Sequence, residues 1–535
     1  MSRRDNPFAA LSVLSLGLFM TLLDVTIVNV AIPQLVDSLN ASIDEALWVL
    51  NAYVLVLGVC LITAGRLGDI FGPRNVFLAG TALFTLASAA CGISNSPAAL
   101  IAARAVQGVG AALLTPQPLA IVLPLFPPEK RGSAFAVNGV VAGVAAVAGP
   151  TLGGFIVTHW DWRGIFFVNL PFGVLSIALT LWIVPDLRPG RRHRLDMAGV
   201  LVSTLALTAI TYALIEGQRY DWDARIIGLL AGGAVLLATF VWMQRRRQTG
   251  GREPLVPFAL FKDRNYGLIL AVAAAVHLGM AGLFLPFTIY LQSVLGLSAL
   301  QAGLVYVPFS LTSMVFSPVS GRLTDRIGGK YILMTGLTLF AAGMLALVAI
   351  AGVSTSRWVF VPGMILGGLG VSGIFVPMIT MAMGQVPPPL AGAASGLLNT
   401  TRQLGGAIGG ALVGAVLQNR LAASLHDEAI ARAGELPAQA RSGFVHGFDK
   451  AASGGLEVGA GQTGATPPAG LPEEIAQRVA AVAREVFDFA FVSAMRWSLI
   501  VPAAIMLAAA GACFALRQPP RTRPEPAAEP EAVTA

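Results

Sequence analysis

Fourteen separate runs of about twenty apolar residues constrain this chain more than any other feature. A run of that length crosses the hydrocarbon core of a bilayer as a single helix. With 55% hydrophobic and only 12% charged residues, the 535-residue chain has little room for soluble domains. We therefore predict an all-α integral membrane protein. Its helices, numbered 1 to 14 in chain order, are predicted near 9–33, 47–66, 76–94, 98–126, 133–158, 164–184, 197–216, 225–244, 265–290, 300–320, 332–352, 359–383, 392–418 and 493–516.

The distribution of lysine and arginine predicts the orientation of these helices. With a cytoplasmic N-terminus, the cytoplasmic segments hold 22 of the 35 basic residues, and the short outer loops hold four. Cytoplasmic loops of membrane proteins carry such an excess, so both termini are predicted in the cytoplasm. The first apolar run contains Asp24 and lacks a convincing cleavage site, which favours an uncleaved membrane helix over a signal peptide.

Composition and motifs exclude several classes of function. A net charge of +7 is small for this length, so no nucleic-acid partner is expected. The three cysteines lie in apolar runs, no Walker-type phosphate-binding loop occurs, and the histidines lack the spacing of metal ligands. His277 stands alone in helix 9 and is interpreted as a packing residue. No cofactor is therefore predicted, and an ion gradient is the remaining source of energy for a pump.

The sequence contains an internal repeat. Residues 65–74 read GRLGDIFGPR and residues 321–330 read GRLTDRIGGK; at the same offset of 256 residues, GPTLGG at 149–154 corresponds to GGAIGG at 405–410. Helices 1 to 6 therefore correspond to helices 9 to 14, and helices 7 and 8 are an insertion between the two halves. Weak repeats of this kind are typical of transporters whose halves move about a central site.

The repeat and the charge distribution divide the chain into six segments. They are 1–184 for the first six-helix bundle, 185–264 for the inserted helices and their linkers, 265–418 for the next five helices, 419–492 for an outer loop, 493–516 for the last helix and 517–535 for a disordered cytoplasmic tail.

The outer loop is predicted to hold a helical hairpin around a flexible middle. Residues 446–470 are rich in Gly, Ala and Pro without periodicity, which is typical of a flexible linker. One helical candidate precedes this linker at 421–433. The other follows it and has one apolar face at helical spacing, formed by Ile475, Val479, Val482, Val486 and Phe489. A disordered loop with a single interfacial helix is the alternative.

Asp24 in helix 1 and Arg104 in helix 4 are the candidate residues for proton coupling. An ionised carboxylate within the bilayer is costly, so Asp24 is a functional candidate. A nearby cation such as Arg104 would let Asp24 hold or release a proton as its surroundings change. Gln107 lies one turn from Arg104 on the same helical face and can bind it. The alternative interpretation is a fixed structural ion pair.

Further polar residues inside the predicted helices are candidates for the lining of a substrate cavity. They are Thr26, Asn29, Gln107, Thr115, Gln117, Asn138, Asn399 and Arg402. Arg402 is flanked by Asn399 and Gln403, and the residues alone leave open whether its role is structural or functional.

The first copy of the repeated motif is predicted to act as a conformational latch. Its residues are Gly65, Arg66, Asp69, Gly72 and Arg74, with Asp325 and Arg326 in the second copy. The two glycines are expected to permit a tight reversal, and the aspartate can favour the N-terminus of a neighbouring helix. The two arginines can pair across the interface between the halves. Contacts that exist in one conformation only would stabilise that state of a rocking carrier.

A second glycine-rich motif lies in helix 5. Gly149, Gly153 and Gly154 let backbones approach closely, and Pro150 removes a helical hydrogen bond and bends the helix.

Six motifs are spread over nearly the whole membrane portion. They are LDVTIVNVAIP at 23–33, GRLGDIFGPR at 65–74, RAVQGVGAA at 104–112, AGVAAVAGPTLGG at 142–154, WRGIFFVNLP at 162–171 and NTTRQLGGAIGG at 399–410. Together they resemble the signatures of the fourteen-helix drug:proton antiporters (QacA/EmrB-like) of the major facilitator superfamily. Ile70 and Pro73 stand where that family usually has basic residues, and Ala145 stands where it usually has glycine. The resemblance implies the major facilitator fold, with two six-helix bundles and two additional helices between them.

The resemblance also implies a function, which is the export of organic molecules in exchange for protons, with Asp24 as proton carrier and Arg104 modulating it. Exporters of dications in this family often have acidic residues in helices 10 or 13, and this chain has none there. Neutral, zwitterionic or singly cationic amphiphiles are therefore the expected substrates. The bacterial inner membrane is the expected location, with membrane lipids and protons as partners; the chain is expected to act as a monomer, and the sequence does not indicate an accessory envelope protein.

Three alternatives to multidrug export remain. The first is proton-coupled export of an endogenous lipid or secondary metabolite. The second is import of a sugar or metabolite, which the helix 5 signature disfavours. The third is a membrane-embedded receptor or enzyme, which would need clustered His, Cys or carboxylate residues near one membrane face, or a structured outer domain.

Overall fold

Fourteen helices that are long and apolar enough to cross a membrane account for most residues of a computed structural model, which describes 6–186, 195–453 and 473–517. The predicted all-α fold and the predicted number of membrane helices are confirmed, and the described ranges contain no strand. The helices run Pro7–Ile32, Asp44–Phe71, Pro73–Gly92, Pro97–Leu125, Arg131–His159, Gly164–Ile183, Met197–Glu216, Ala224–Thr249, Arg264–Val294, Leu300–Ile327, Gly329–Ile350, Arg357–Met383, Pro388–Ala433 and Glu473–Ala515.

Local sequence explains where several helices begin and end. Helix 1 begins at Pro7 because the Asn6 side chain accepts hydrogen bonds from two backbone N–H groups of the first turn. Between helices 2 and 3, Gly72 adopts a φ of 87°, and Gly328 adopts a φ of 88° at the repeat-related position between helices 10 and 11. This left-handed conformation favours glycine, so the repeat extends to the backbone at both reversals.

Three of the membrane helices consist of two α-helical pieces. The pieces are Pro97–Leu114 and Gln117–Leu125 in helix 4, Gly164–Phe167 and Asn169–Ile183 in helix 6, and Ala299–Val305 and Val307–Ile327 in helix 10. In helix 4 the break contains Pro116, which has no N–H for the helical hydrogen-bond ladder.

The two halves of the molecule meet along two seams. Helix 2 packs against helix 13, and helix 5 packs against helix 10. Because helices 2 and 10 correspond in the repeat, as do helices 5 and 13, each seam pairs the same two kinds of helix. Within the halves, helix 1 packs against helices 5 and 6, and helix 9 packs against helices 13 and 14. We call the face on which helix 1 begins the inner face.

The inserted helices 7 and 8 pack against each other, and helix 7 lies on the seam between helices 2 and 13. On the outer face Arg219, just after helix 7, pairs with Asp44 at the start of helix 2 at 2.5 Å. Trp48, one turn further along helix 2, stacks on Tyr212 of helix 7 with ring centroids 5.6 Å apart. The insertion therefore covers one of the two seams between the halves.

The outer segment is built from extensions of two membrane helices. The α-helix Ala391–Ala433 is continuous, so the arm expected at 421–433 is the outer part of helix 13. The α-helix Glu473–Ala512 likewise joins the second arm to helix 14. Both are longer than the roughly 20 residues that span a bilayer, so both extend beyond the membrane. The division of the chain into segments otherwise stays a prediction.

The two outer arms pack against each other through apolar side chains. Buried residues on the two arms are Leu421, Leu425, Ala429, Val479, Val482 and Val486. An ion pair between Arg432 and Glu485, at 2.7 Å, lies beside this contact. The middle of the segment, expected to be flexible from residue 446, is helical over Ala438–Ser453, and residues 454–472 lie outside the described residues.

Candidate transport site

Asp24 lies at the centre of a buried polar cluster in the first six-helix bundle. Its Oδ2 accepts a hydrogen bond from Nη1 of Arg104 at 2.5 Å. Its Oδ1 accepts hydrogen bonds from Nε2 of Gln107 at 2.9 Å and from Nδ2 of Asn169 at 3.3 Å. Arg104 is 1% exposed, and the other three residues are fully buried. The structure therefore brings the two predicted proton-coupling residues into direct contact.

Arg104 is oriented by three further contacts. Its Nε donates to the backbone oxygen of Val49 in helix 2 at 3.0 Å, and its Nη1 donates to Oε1 of Gln107 at 2.7 Å. The guanidinium carbon lies 4.3 Å from the centre of the Tyr53 ring. A cation over an aromatic face gains most where water is excluded, as it is here. Helices 1, 2, 4 and 6 thus hold the pair in one geometry.

The sequence-based set of site residues does not include Asn169 or Ser88. Asn169 in helix 6 donates to Oγ of Ser88 in helix 3 at 3.1 Å as well as to Asp24. Asn169 belongs to the motif WRGIFFVNLP, and its place in this motif is the sequence feature that could have marked it as a site residue. A single amide in an apolar helix does not reveal which neighbouring helix it faces, so its contact with Asp24 could not be predicted.

The cluster can change its charge by one proton. An ionised Asp24 accepts hydrogen bonds from all three of its donors and neutralises Arg104. A protonated Asp24 would lose the charge that balances Arg104, which favours a rearrangement of the contacts between helices 1 and 4. Protonation of Asp24 would therefore change the contacts that join helices 1 and 4.

Both copies of the repeated motif join the two halves at the inner face. The Asp69 carboxylate accepts hydrogen bonds from the backbone N–H groups of Gly392 and Ala393 at 2.8 and 2.9 Å. These groups open helix 13, so Asp69 caps a helix of the opposite half. We call this set of contacts the first latch.

The second latch has the same form with the halves exchanged. The Asp325 carboxylate accepts hydrogen bonds from the backbone N–H groups of Gly132 and Ser133 at 2.7 and 2.9 Å. The Ser133 hydroxyl adds a third bond at 2.6 Å. Arg326, the next residue, is exposed at the end of helix 10. Each half thus caps one helix of the other.

Close backbone contact accompanies the first latch. Gly65 lies within helix 2, Ile43–Phe71, and does not form the reversal, so its expected role is corrected. A Cβ atom at Gly65 would lie 2.9 Å from the carbonyl carbon of Gly392 and 3.1 Å from Cα of Gly396. Since no side chain fits, the glycine lets helices 2 and 13 touch. Gly72 does form the reversal, with its φ of 87°.

The two arginines of the first motif do not pair as predicted. Arg66 binds Glu253, in the linker before helix 9, at 2.8 Å and lies 3.9 Å from Asp69. Arg74 donates to the backbone oxygen of Leu181 in helix 6, within its own half, at 2.7 Å. The prediction that Arg74 pairs across the interface is therefore wrong, because helix 6 is the nearer neighbour of the start of helix 3.

The helix 5 glycines differ in their surroundings. Gly149 and Gly153 face helix 1, where Cβ atoms would lie 2.6 Å from Cβ of Thr26 and 2.9 Å from Cγ1 of Ile27. Gly154 has no such neighbour within 4 Å. The backbone of helix 5 is α-helical through Pro150 from Arg131 to His159. Two of the three glycines therefore serve the contact between helices 1 and 5.

The residues predicted to line one cavity do not lie together. Gln107 belongs to the Asp24 cluster, and Thr26 is at the contact with helix 5. Thr115 and Asn29 bind backbone oxygens of their own helices, at Ala111 and Val25. Gln117 is fully buried and donates to the backbone oxygens of Ala64 and Leu113, and Asn138 is half-buried. Only Asn399 and Arg402 form a second cluster, so the predicted single cavity is not found among the described residues.

Arg402 lies in the middle of helix 13 among uncharged partners. Its Nε donates to Nε2 of His277 in helix 9 at 3.0 Å, and its Nη1 donates to Oδ1 of Asn399 at 3.0 Å. The guanidinium carbon lies 5.3 Å from the centre of the Phe375 ring in helix 12. His277, interpreted from sequence as a packing residue, thus has a polar contact as well.

A cavity of about 210 Å³ lies on the seam between helices 2, 7 and 13. Its polar lining residues are Asn51, Thr211 and Gln403, and none of the predicted cavity residues lines it. The remaining lining residues are Val54, Gly58, Leu207, Ile215, Leu404, Gly406 and Ala407.

A carboxylate–guanidinium pair buried within membrane helices, together with reciprocal contacts between two repeated bundles, is typical of a secondary transporter. The family model of the Major Facilitator Superfamily matches residues 14–410. The chain belongs to this superfamily, as the resemblance of its motifs implied.

Curated relatives and a solved structure agree with that assignment. The chain is 39% identical to the multidrug resistance protein Stp of Mycobacterium tuberculosis (strain CDC 1551 / Oshkosh), over 77% of this chain and 76% of that protein. It is 34% identical to the tetracenomycin C resistance and export protein of Streptomyces glaucescens, over 98% of this chain and 94% of that protein. The human organic anion transporter MFSD10 (TETRAN) superposes with a TM-score of 0.61 at 16% identity, over 95% of this chain and 99% of that one, and shows the shared fold.

Proposed function

We propose that this chain is a multidrug exporter. It exports lipophilic or amphiphilic compounds in exchange for protons, by alternating access. The observation that carries this proposal is the buried pair of Asp24 and Arg104. Charged groups inside a membrane are costly and mark proton and substrate pathways. The names of the relatives, which refer to multidrug resistance and to tetracenomycin C export, support the substrate class and the direction.

In this proposal Asp24 carries the proton, and Arg104 competes with the proton for the Asp24 carboxylate. Uptake of a proton by Asp24 weakens its bond to Arg104 and loosens the contact between helices 1 and 4. Loss of the proton restores the bond. Substrate and proton then bind to alternate states of one bundle, which is the requirement for antiport.

Alternating access in this proposal uses the two latches. Both close the inner face, which the distribution of lysine and arginine assigns to the cytoplasm, so the described state is closed on the cytoplasmic side. Opening of the inner face must break the Asp69 and Asp325 caps together, because each joins both halves. Two equivalent sets of contacts favour an all-or-none transition over gradual opening.

The location and partners follow from the same proposal. The chain acts in the bacterial inner membrane with both termini in the cytoplasm, in contact with membrane lipids. It acts as a monomer and performs no covalent chemistry on the substrate; an accessory envelope protein is possible but is not indicated by the sequence. The bacterial origin of the relatives and the distribution of basic residues support this placement.

A second candidate is the proton-coupled export of one endogenous lipid or secondary metabolite. Similarity over 98% of the chain to a protein named for a single compound, tetracenomycin C, favours it. The two candidates differ in the breadth of the substrates.

Everted membrane vesicles that contain the wild-type chain or the Asp24→Asn variant test both candidates. The vesicle interior is acidified, a panel of lipophilic compounds is added one at a time, and a fluorescent dye reports the internal pH. We expect proton release on substrate addition from wild-type vesicles only. Responses to many unrelated compounds support multidrug export, and a response to a single class supports the second candidate. The absence of any response overturns both.

A further inference from the structure

Arg104 and Arg402 both lie well inside membrane helices, and they differ in how their charge is balanced. Arg104 pairs with Asp24, so its positive charge is neutralised within the protein. Arg402 contacts an imidazole nitrogen, an amide oxygen and an aromatic face, and no carboxylate of the described residues pairs with it. A cation within the bilayer is costly unless an anion balances it.

The hydrogen bonds around His277 show that it is a neutral partner of Arg402. Its Nδ1 lies 3.0 Å from the backbone oxygen of Ala273 and so carries the proton. Its Nε2 is then the acceptor for Nε of Arg402. A guanidinium has five N–H donors, and the bonds to His277 and Asn399 use two of them. Arg402 is half-buried, and its Nη2 group has no hydrogen-bond acceptor among the described residues.

We propose that Arg402, oriented by His277 and Asn399, binds an anionic oxygen group of the exported amphiphile, such as a carboxylate, sulfonate or phenolate. The inference rests on the proposed function and narrows its substrate class to amphiphiles with an anionic group, which, zwitterions apart, departs from the neutral or singly cationic substrates expected from the sequence. A planar guanidinium suits such groups because it can donate two parallel hydrogen bonds. The Phe375 ring beside it offers an apolar surface for the rest of the molecule. A headgroup of an anionic lipid has the same chemistry and is the second possible source of the anion.

A matched pair of fluorescent probes tests this inference by binding. The probes are 1-anilinonaphthalene-8-sulfonate and N-phenyl-1-naphthylamine, which share a ring system and differ by the sulfonate. Binding to the full chain in phosphatidylcholine nanodiscs is measured, with empty nanodiscs subtracted. We expect Arg402→Gln to weaken binding of the sulfonate by about tenfold or more, since a hydrogen bond to a charged group is lost. Binding of the neutral probe should change by less than about twofold.

Arg420→Gln is the matched control, because it removes the same charge from an exposed position of helix 13 that lies over Trp497. It should leave both probes unaffected. If Arg402→Gln is not recovered as folded protein, Arg402→Lys decides: it keeps the charge but loses the paired donors, so the sulfonate must weaken relative to the neutral probe. Absence of sulfonate binding to the wild type, or equal changes for both probes, overturns the inference.

Two further measurements identify the source of the anion and distinguish anion binding from transport. In nanodiscs that contain phosphatidylglycerol, displacement of the sulfonate from the wild type assigns the site to a lipid headgroup, whereas undiminished binding assigns it to the amphiphile; both results support an anion site. The proton-flux assay in everted vesicles is a separate readout. If vesicles that contain the wild-type chain show no proton flux with any compound, the proposed function is overturned. The difference in binding between the two probes still decides whether Arg402 binds an anion.

Discussion

Asp325 repeats, 256 residues further along the chain, the contact that Asp69 makes at the inner face. Each carboxylate accepts two backbone hydrogen bonds, of 2.7 to 2.9 Å, from the first turn of a helix in the opposite half. The two halves are therefore held together by two contacts of one design. Asp69 is buried and Asp325 is half-buried, so water competes more with the second.

The substitutions Asp69→Asn and Asp325→Asn should each favour opening of the inner face. An amide keeps the shape of the side chain but loses the charge at the helix N-terminus, which costs about 0.5–2 kcal/mol of the closed state. The effect should be larger for Asp69, and turnover should change more than substrate affinity. Distances between spin labels on the inner ends of helices 2 and 13 measure the populations. Complete loss of substrate binding in both variants would contradict a latch.

Gly65→Ala should open the same face by a steric route. The added Cβ would lie 2.9 Å from a backbone atom of Gly392, which cannot move as a flexible side chain can. Overpacking of this kind costs about 1–3 kcal/mol. Gly154→Ala is the control, since no such neighbour of that position lies within 4 Å. The same spin-label distances should shift in Gly65→Ala and stay constant in Gly154→Ala. No shift in either variant would show that helices 2 and 13 accommodate the added methyl group without opening.

Asp24→Asn should leave a folded protein that does not couple export to protons. The amide oxygen can accept from Arg104 in place of Oδ2, but the NH2 group then faces the donors of Gln107 and Asn169, and the amide cannot take up and release a proton. Proton flux in everted vesicles should fall to the level of vesicles without the protein. Asp37→Asn, at an exposed position of the α-helix Pro7–Leu39 beyond the membrane part of helix 1, is the matched control and should retain wild-type flux. Uphill export by Asp24→Asn would assign proton coupling to another residue.

Arg104→Gln tests whether the pair is energetically coupled. Removal of one partner of a buried pair leaves an unbalanced charge and costs about 3–5 kcal/mol of the free energy of unfolding. The double variant Asp24→Asn/Arg104→Gln removes both charges, so it should recover most of that stability without recovering proton flux. Thermal unfolding of the four proteins in detergent measures the coupling. Additive losses would mean that the two side chains do not interact in solution.

The features that the sequence predicts well are those that depend on one helix or on the repeat. The fourteen helices follow from apolar length, and Gly72 and Gly328 follow from two copies of one motif. Asp24 and Arg104 could be paired in advance because isolated charges in apolar helices have few possible partners.

The features that the sequence does not predict depend on which helices are neighbours. Arg74 lies in the repeated motif, yet it binds helix 6, and Asn169 turns toward Asp24. Arg402 and His277 are 125 residues apart, and neither residue alone indicates the other. The outer arms are continuous with helices 13 and 14 because no glycine or proline interrupts 417–433 or 473–501, although the hydropathy of each helix falls where it leaves the membrane.

The contact between the outer arms should depend on its buried valines. Val486 is fully buried and follows Glu485, which pairs with Arg432 of the opposite arm, so Val486→Ala should cost about 1–3 kcal/mol of local stability. Arg478→Ala, at an exposed position of the same arm, should cost little. Hydrogen exchange of residues 475–489, followed by mass spectrometry, reports the stability of the arm directly. We expect slow exchange in the wild type and in the control and faster exchange in Val486→Ala, with the membrane parts of both helices unchanged. Fast exchange in all three proteins would mean that the arms separate in solution and that the apolar face is covered only transiently.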